Sequence, residues 1–240
     1  MKNVKVSVIL PTYNEKQNVL RLIEVIHAQL TENEHEIIVV DDNSPDGTYE
    51  AILALNLPYA KPILRTKNRG FANSIRCGLE KATGEVFVVM DSDFNHQPQY
   101  LPFMVQALSH YDCVAASRFV YGGGMDSRSR HLLSWIFNIF VRIITKGMVT
   151  DSLYGFFAIK KEVIQQCDYD AIFWGYGDYC IRLMFYLQKN GANILQFPAL
   201  NGKRTTGEGN QKFIKVFLQY FYESLKLAYK ERIKNRCTKK

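Results

Sequence analysis

Short apolar runs alternate with helical patterns from the start of this chain, and that alternation constrains its fold more than any other feature. The runs are VSVIL at 6–10, EIIVV at 36–40, PIL at 62–64, EVFVVM at 85–90 and CVAAS at 113–117. Runs this short, apolar throughout and rich in β-branched residues suit strands buried on both faces of a parallel sheet, and such strands need crossover helices. Those helices are expected at about Lys16 to Leu30, Gly47 to Leu55, Phe71 to Ala82 and Gln99 to Ser109, each after a turn-rich stretch. The expected fold is α/β: a Rossmann-like, open, mostly parallel sheet with helices on both faces.

The second half changes character. Arg128 to Gly147 reads as one apolar helix, SLYGFFAI at 152–159 as a strand, Gly177 to Lys189 as a helix and NILQFP at 193–198 as another strand. A polar loop, NGKRTTGEGNQK, spans 201–212. Phe213, Val216, Phe217, Tyr220, Phe221, Ser224, Leu227 and Ala228 then recur at three- and four-residue steps, which marks a long amphipathic C-terminal helix. At 240 residues and 47% apolar, the chain fits one α/β domain over 1–210, with 211–240 a basic helix packed on it or extending it.

Charge is concentrated at the end of the chain. Of a formal net +7, the excess lies in Lys203 to Lys240, where eleven basic residues face three acidic ones. Such a tail points to an anionic surface or partner, and no recognisable motif supports nucleic acid. Five cysteines, odd in number and without a CxxC pair, suggest neither a disulfide framework nor a zinc site, so reduced thiols in the cytoplasm are expected. MKNVKVSVILPTYNE reads as a strand and not as a secretory signal. The longest apolar stretch, Leu132 to Ile144, is interrupted by Asn138 and Arg142 and falls short of the roughly 20 residues that span a bilayer.

In open α/β sheets ligands sit beyond the carboxyl ends of the strands. Here those positions are unusually polar: PTYNE follows the first run at 11–15, DDNSPDGT the second at 41–48, and DSDFNHQP the fourth at 91–98. Asp91 and Asp93, two apart at a strand end, are expected to point to one side and share a hard cation. Magnesium needs only one or two carboxylates and takes its other ligands from phosphate and water. The competing reading is that both aspartates cap a turn. Asp178 precedes Arg182 by four residues, the spacing of a helix salt bridge.

VSVILPTYNE, IIVVDDNSPDGT and NRGFANSIRCGLEKATGEVFVVMDSDFNHQP, in this order and spacing, resemble the family 2 inverting glycosyltransferases of the GT-A fold. SPDGT and the Asn-His-x-Pro continuation are most like the dolichyl-phosphate mannosyltransferase, or polyprenyl-phosphate glycosyltransferase, branch. The resemblance covers residues 4 to 210 and makes 1–210 a GT-A catalytic domain. It implies Pro11, Tyr13, Glu15 and Asp42 against the base and ribose of a nucleotide-sugar, and Asp91 and Asp93 as catalytic ligands of Mg2+ or Mn2+ and the diphosphate. Asn95 stands where the family often has a glutamine as a further metal ligand, one methylene longer. Arg118, and Arg130, Ser134 and Asn138 at four-residue steps, match family positions; a planar guanidinium with a hydroxyl beside it suits the acceptor's phosphate.

Asp151, Gly155 and Phe156 also match, but Phe157 replaces the usual arginine. Arg204, Gly207 and Glu208 match the end of a family string whose serine and lysine are here Gly209 and Asn210, with Lys212 two places late. Arg204 is carried over as a substrate-binding residue. Asp178 matches an acid that serves as general base for hydroxyl acceptors, which a phosphate does not need, because its oxygen is already anionic at pH 7.

The resemblance implies inverting, metal-dependent transfer of a sugar from GDP-mannose or a UDP-sugar to a polyprenyl or dolichyl phosphate at a membrane surface. One alternative is a family 2 enzyme acting on a glycan hydroxyl, and another is a nucleotide-binding partner protein without transfer. The helix over Leu132 to Met148 and the C-terminal helix suit an anionic lipid interface, peripheral on the inner face of the membrane; packing on the sheet or in an oligomer is the other reading.

Overall fold

The computed structural model describes residues 4–201 and 213–237. Along the chain run β1 (Val6–Thr12), α1 (Lys16–Gln29), β2 (His35–Asp41), α2 (Thr48–Ala54), β3 (Ala60–Leu64), α3 (Phe71–Lys81) and β4 (Val86–Val89). A 3₁₀ turn, Pro98–Tyr100, leads into α4 (Leu101–Ala107), then β5 (Cys113–Ser117), β6 (Gly124–Met125) and α5 (Arg128–Thr145). The rest holds β7 (Phe157–Lys160), short helices α6 (Lys161–Ile164) and α7 (Tyr169–Ile172), α8 (Tyr179–Lys189), β8 (Ile194–Pro198), β9 (Leu200–Asn201) and α9 (Phe213–Cys237).

Seven strands form one sheet in the order β3-β2-β1-β4-β7-β5-β8. Within it β7 alone runs antiparallel, against both β4 and β5, while the other pairs are parallel. A separate two-stranded ribbon pairs β6 with β9. The order reverses between β1 and β4, the place where open α/β sheets leave a crevice beyond their carboxyl ends.

Both faces of the inner strands are buried, which explains why those strands are largely apolar, whereas the edge strands β3 and β8 are mostly half-buried or exposed. Val6, Val8 and Leu10 of β1 face Val19, Leu22 and Ile26 of α1, whereas Ile9, one residue out of step, joins Ile75 of α3 and Leu183 of α8 on the other face. Residues alternate across the pleat, so one strand serves two cores.

SLYGFFAI does not form one strand. The ladder begins only at Phe157, because Gly155 takes φ of 75° and the amides before it are drawn to side chains: Ser152 N–H to Asn138 Oδ1 at 2.8 Å, Leu153 N–H to Asp151 Oδ1 at 3.2 Å. The helix expected over 99–109 is divided at Leu101, with a proline in the first turn of each part.

α9 packs on α5 through Phe217 against Phe137 (ring centroids 4.8 Å apart) and Phe221 against Phe140 (4.5 Å). Ser224, Leu227 and Ala228 face inward, while Leu218, Tyr222, Leu225 and Tyr229 are exposed. On α5, Leu132, Leu133, Trp135, Ile136 and Ile143 are exposed as well. Among the described residues no helix is long and apolar enough to cross a membrane.

Candidate active site

A cleft of about 470 Å³ opens at the carboxyl ends of β1, β2 and β4, within the usual range for small-ligand sites. Pro11, Thr12, Tyr13 and Glu15 line it from the end of β1, Asp42 from the end of β2, Gly70, Phe71 and Ser74 from the start of α3, and Asp91 and Asp93 from the turn after β4. Tyr176 reaches it from the loop before α8.

The loops after β1 and β2 are tied together by short polar side chains. Asn14 N–H donates to Ser44 Oγ at 2.9 Å, and Asp46 accepts from Lys16 N–H at 3.2 Å and Thr48 N–H at 3.0 Å, so one carboxylate serves the starts of both α1 and α2. Asp42 is held by Arg65 Nη1 at 2.8 Å on one oxygen and by Gly70 N–H at 2.6 Å on the other. A carboxylate has about four acceptor sites, so these two bonds fix its direction and leave capacity for a ligand. Arg69 lies over the Tyr13 ring, 5.2 Å from its centroid, and both line the cleft.

The strand pleat does not account for the acidic pair, because β4 ends at Val89 and a turn carries both aspartates to the cleft. His96 fixes that turn. Asp91 N–H donates to His96 Nδ1 at 2.8 Å, which puts the ring proton on Nε2, where it is donated to Tyr154 O at 3.0 Å. The ring stacks on Phe156 with centroids 5.0 Å apart, and burial pulls its pKa down to about 4, so the neutral tautomer is the one that serves both bonds. Tyr154 in turn donates its hydroxyl to Asn95 O at 3.1 Å.

Asn95 orients Asp93 instead of facing the cleft. Its amide N–H reaches Asp93 Oδ1 at 3.1 Å and its Nδ2 reaches Oδ2 at 2.7 Å, while its own Oδ1 is buried without a hydrogen-bond partner. The side-chain carboxylates of Asp91, about a third exposed at 34%, and of Asp93, buried, open on the same cleft. Among the described residues no three His, Cys, Asp or Glu side chains gather as a metal cage. Such a donor set fits Mg2+ or Mn2+, which complete their shells with phosphate oxygens and water, and not a cation needing an all-protein site.

Residues 7–168 match the family Glycosyl transferase family 2. The chain belongs to that family. It is similar to a dolichol-phosphate mannosyltransferase of Pyrococcus furiosus, at 32% identity over 93% of this chain and 64% of that protein, so it spans less than two thirds of that relative's length. An undecaprenyl-phosphate mannosyltransferase of Micrococcus luteus is 32% identical over 85% of this chain and 86% of its own. A dolichol-phosphate mannosyltransferase of Saccharomyces cerevisiae is 29% identical over 95% of this chain and 88% of its own. Glucosyl-3-phosphoglycerate synthase of Mycobacterium tuberculosis, solved with Mn2+, uridine diphosphate and phosphoglyceric acid, shares the GT-A fold at TM-score 0.71 and 19% identity, over 94% of this chain and 78% of that one.

In this family 2 chain, Pro11, Tyr13, Glu15, Asp42, Asp91 and Asp93 come together in the cleft. Arg118 does not line it: Nε donates to Asp151 Oδ2 at 2.7 Å and Nη2 to Oδ1 at 2.9 Å. Burial works against its charge, and Asp151 more than offsets that, so its pKa is raised. Arg130 is exposed in the first turn of α5, and Ser134, one turn on, is half-buried. Asn138, a further turn along, is buried and bonds Ser134 O and Ser152 N–H. Asp178 lies outside the cleft lining, 1% exposed, with one oxygen accepting from Tyr176 N–H at 2.9 Å and the other from Arg182. Arg204, with Gly207, Glu208 and Lys212, lies outside the described residues.

Arg65, Arg69, Phe71, Ser74, His96 and Tyr176 were not singled out in the sequence. His96 sits inside the string that carries the family resemblance, and Tyr176 is an aromatic between two glycines in WGYGDY, a pattern that could have flagged a presented side chain.

Proposed function

We propose that this chain transfers a sugar, with inversion, from a nucleotide-sugar to a polyprenyl phosphate at a membrane surface, with GDP-mannose as the donor, a choice supported by the chain's likeness to mannosyltransferases. The observation that carries the reading is the meeting of Asp91 and Asp93 with Pro11, Tyr13, Glu15 and Asp42 in one cleft at the switch point of the sheet.

Asp91 and Asp93 would hold Mg2+ or Mn2+. When bound, that ion offsets the charge on the departing nucleoside diphosphate. Tyr13, Glu15 and Asp42 bind and orient the nucleoside, while His96 and Asn95 keep the two carboxylates in register. The acceptor's phosphate oxygen, anionic near neutral pH because a phosphomonoester has its second pKa near 6, attacks the anomeric carbon opposite the diphosphate. No side chain has to take a proton from it, in keeping with an Asp178 carboxylate already engaged by Tyr176 N–H and Arg182. Arg130 and Ser134 on α5 receive the acceptor's phosphate.

The outer faces of α5 and α9 suit a lipid interface: Trp135, Ile143, Tyr222 and Tyr229 are exposed, with the exposed lysines Lys226 and Lys230 nearby. The test is transfer from radiolabelled GDP-mannose to a polyprenyl phosphate in anionic liposomes, followed by flotation. Wild-type protein is expected to label the lipid and to float, and Asp93→Ala to float without labelling. A fully active Asp93→Ala protein would remove the assignment, and a wild-type protein that stays in the pellet would remove its membrane part.

A further inference from the structure

We infer that Tyr176 recognises the sugar of the donor by laying its ring on a face of the hexose, and that the buried Asp178–Arg182 pair positions it to do so. The inference rests on the cleft being a nucleotide-sugar site.

Tyr176 lines the cleft together with Asp91 and Asp93, and it is 47% exposed. Its ring leans on Phe71, also in the lining, with centroids 5.4 Å apart. The same lining holds residues suited to a nucleoside, Pro11, Tyr13, Glu15 and Asp42, and the acidic pair suited to a metal-bound diphosphate. The part of a nucleotide-sugar that those residues leave without a counterpart is the hexose joined to the diphosphate. A hexose has apolar C–H faces and polar edges, and an exposed tyrosine offers a large, rigid apolar face at small conformational cost.

The backbone around Tyr176 is over-determined for an exposed loop. Tyr176 N–H donates to Asp178 Oδ1 at 2.9 Å, and Asp178 Oδ2 is bound by Arg182. Arg182, 4% exposed, also donates to Ile172 O at 2.8 Å and to Trp174 O, and its guanidinium lies 3.7 Å over the Trp174 ring. Both neighbours of Tyr176 are glycine, and at Gly175 the backbone itself calls for it. Gly175 takes φ of 76° with Asp178 Oδ1 3.0 Å from where a Cβ would stand, and at Gly177 a Cβ would meet Tyr220 Oη of α9 at 2.5 Å. A buried ion pair is weak as a source of stability, since desolvation cancels much of its attraction. Here the pair, the stacked tryptophan and the two glycines converge on one outcome, a half-exposed aromatic residue held in the lining of the cleft.

The test is isothermal titration calorimetry in MnCl2 with GDP-mannose against GDP, and UDP-glucose against UDP, on wild type, Tyr176→Ala and Tyr176→Phe. Tyr176→Ala is expected to weaken the nucleotide-sugar that wild type binds by about tenfold while the matching diphosphate stays within about twofold. Tyr176→Phe is expected to keep both near wild type, because the ring face carries the contact. Equal losses for sugar-bearing and sugar-free ligands, no loss for either, or a phenylalanine variant as weak as alanine would each overturn the inference. A wild type that binds neither diphosphate nor nucleotide-sugar would remove the proposed activity, and this inference with it.

Discussion

Replacing Asp178 by alanine leaves the Arg182 guanidinium buried, still donating to the Ile172 and Trp174 carbonyls but without a counter-charge. Breaking a buried pair from one side costs about 3–5 kcal/mol. Asp178→Asn keeps an oxygen for Tyr176 N–H but turns an NH2 donor toward Arg182, so it loses the charge and one of the two hydrogen bonds, and a cost of about 1–3 kcal/mol follows. Asp178→Ala combined with Arg182→Met removes both charges and should be more stable than Asp178→Ala alone, a non-additivity of at least about 1 kcal/mol. Urea unfolding followed by circular dichroism reads these differences. With m near the upper end of about 1–3 kcal/mol per molar, Asp178→Ala should lower the midpoint by about 1–2 M at constant m. A general base would behave otherwise: its loss lowers kcat by about 10²–10⁴ and leaves stability alone. An Asp178→Ala protein with an unmoved midpoint and a collapsed kcat would refute the positioning role.

Two further expectations concern other buried polar groups. Burial alone would raise the Glu36 pKa, but hydrogen bonds from Lys61, Ser7 and Thr83 outweigh it and take the group from 4.5 to about 2. Its contribution to stability is therefore complete above the unfolded value and is lost as pH falls through about 2, so wild type should lose more stability than Glu36→Gln between pH 6 and 3; parallel urea midpoints would contradict this. His96→Phe keeps the stack on Phe156 but loses the acceptor for Asp91 N–H and the donor to Tyr154 O. Mn2+ affinity in the presence of GDP, read by electron paramagnetic resonance, should fall about tenfold or more, and less in His96→Asn, which retains one donor and one acceptor. Equal affinity in all three proteins would show that His96 does not hold the turn.

Much of the sheet was legible because its inner strands are buried on both faces. VSVIL, EIIVV and CVAAS lie wholly within β1, β2 and β5. The direction of β7 was not legible, since an apolar run carries no sign, and the two-residue strands β6 and β9 are too short for any pattern. On α9 the expected inward stripe includes Phe217, Ser224, Leu227 and Ala228, but Leu218, Tyr222, Leu225 and Tyr229 make the opposite side aromatic and apolar too, which periodicity alone does not sort.

The site divides in the same way. Pro11, Tyr13, Asp42, Asp91 and Asp93 could be read because each lies at or just beyond the carboxyl end of a strand, where topology alone brings residues together. Arg65 and Tyr176 could not, since they approach from beyond β3 and from the loop before α8. Asn95 shows the limit of position matching: the amide stands where a ligand was expected, and its nitrogen is turned to Asp93.

The central claim is that Asp91 and Asp93 together hold a divalent ion against the diphosphate of a nucleotide. The most direct measurement is anomalous scattering at the manganese edge from crystals grown with MnCl2 and GDP. The account predicts a manganese peak in contact with both carboxylates and with phosphate oxygens. Bound GDP with manganese elsewhere, or with none, would contradict it.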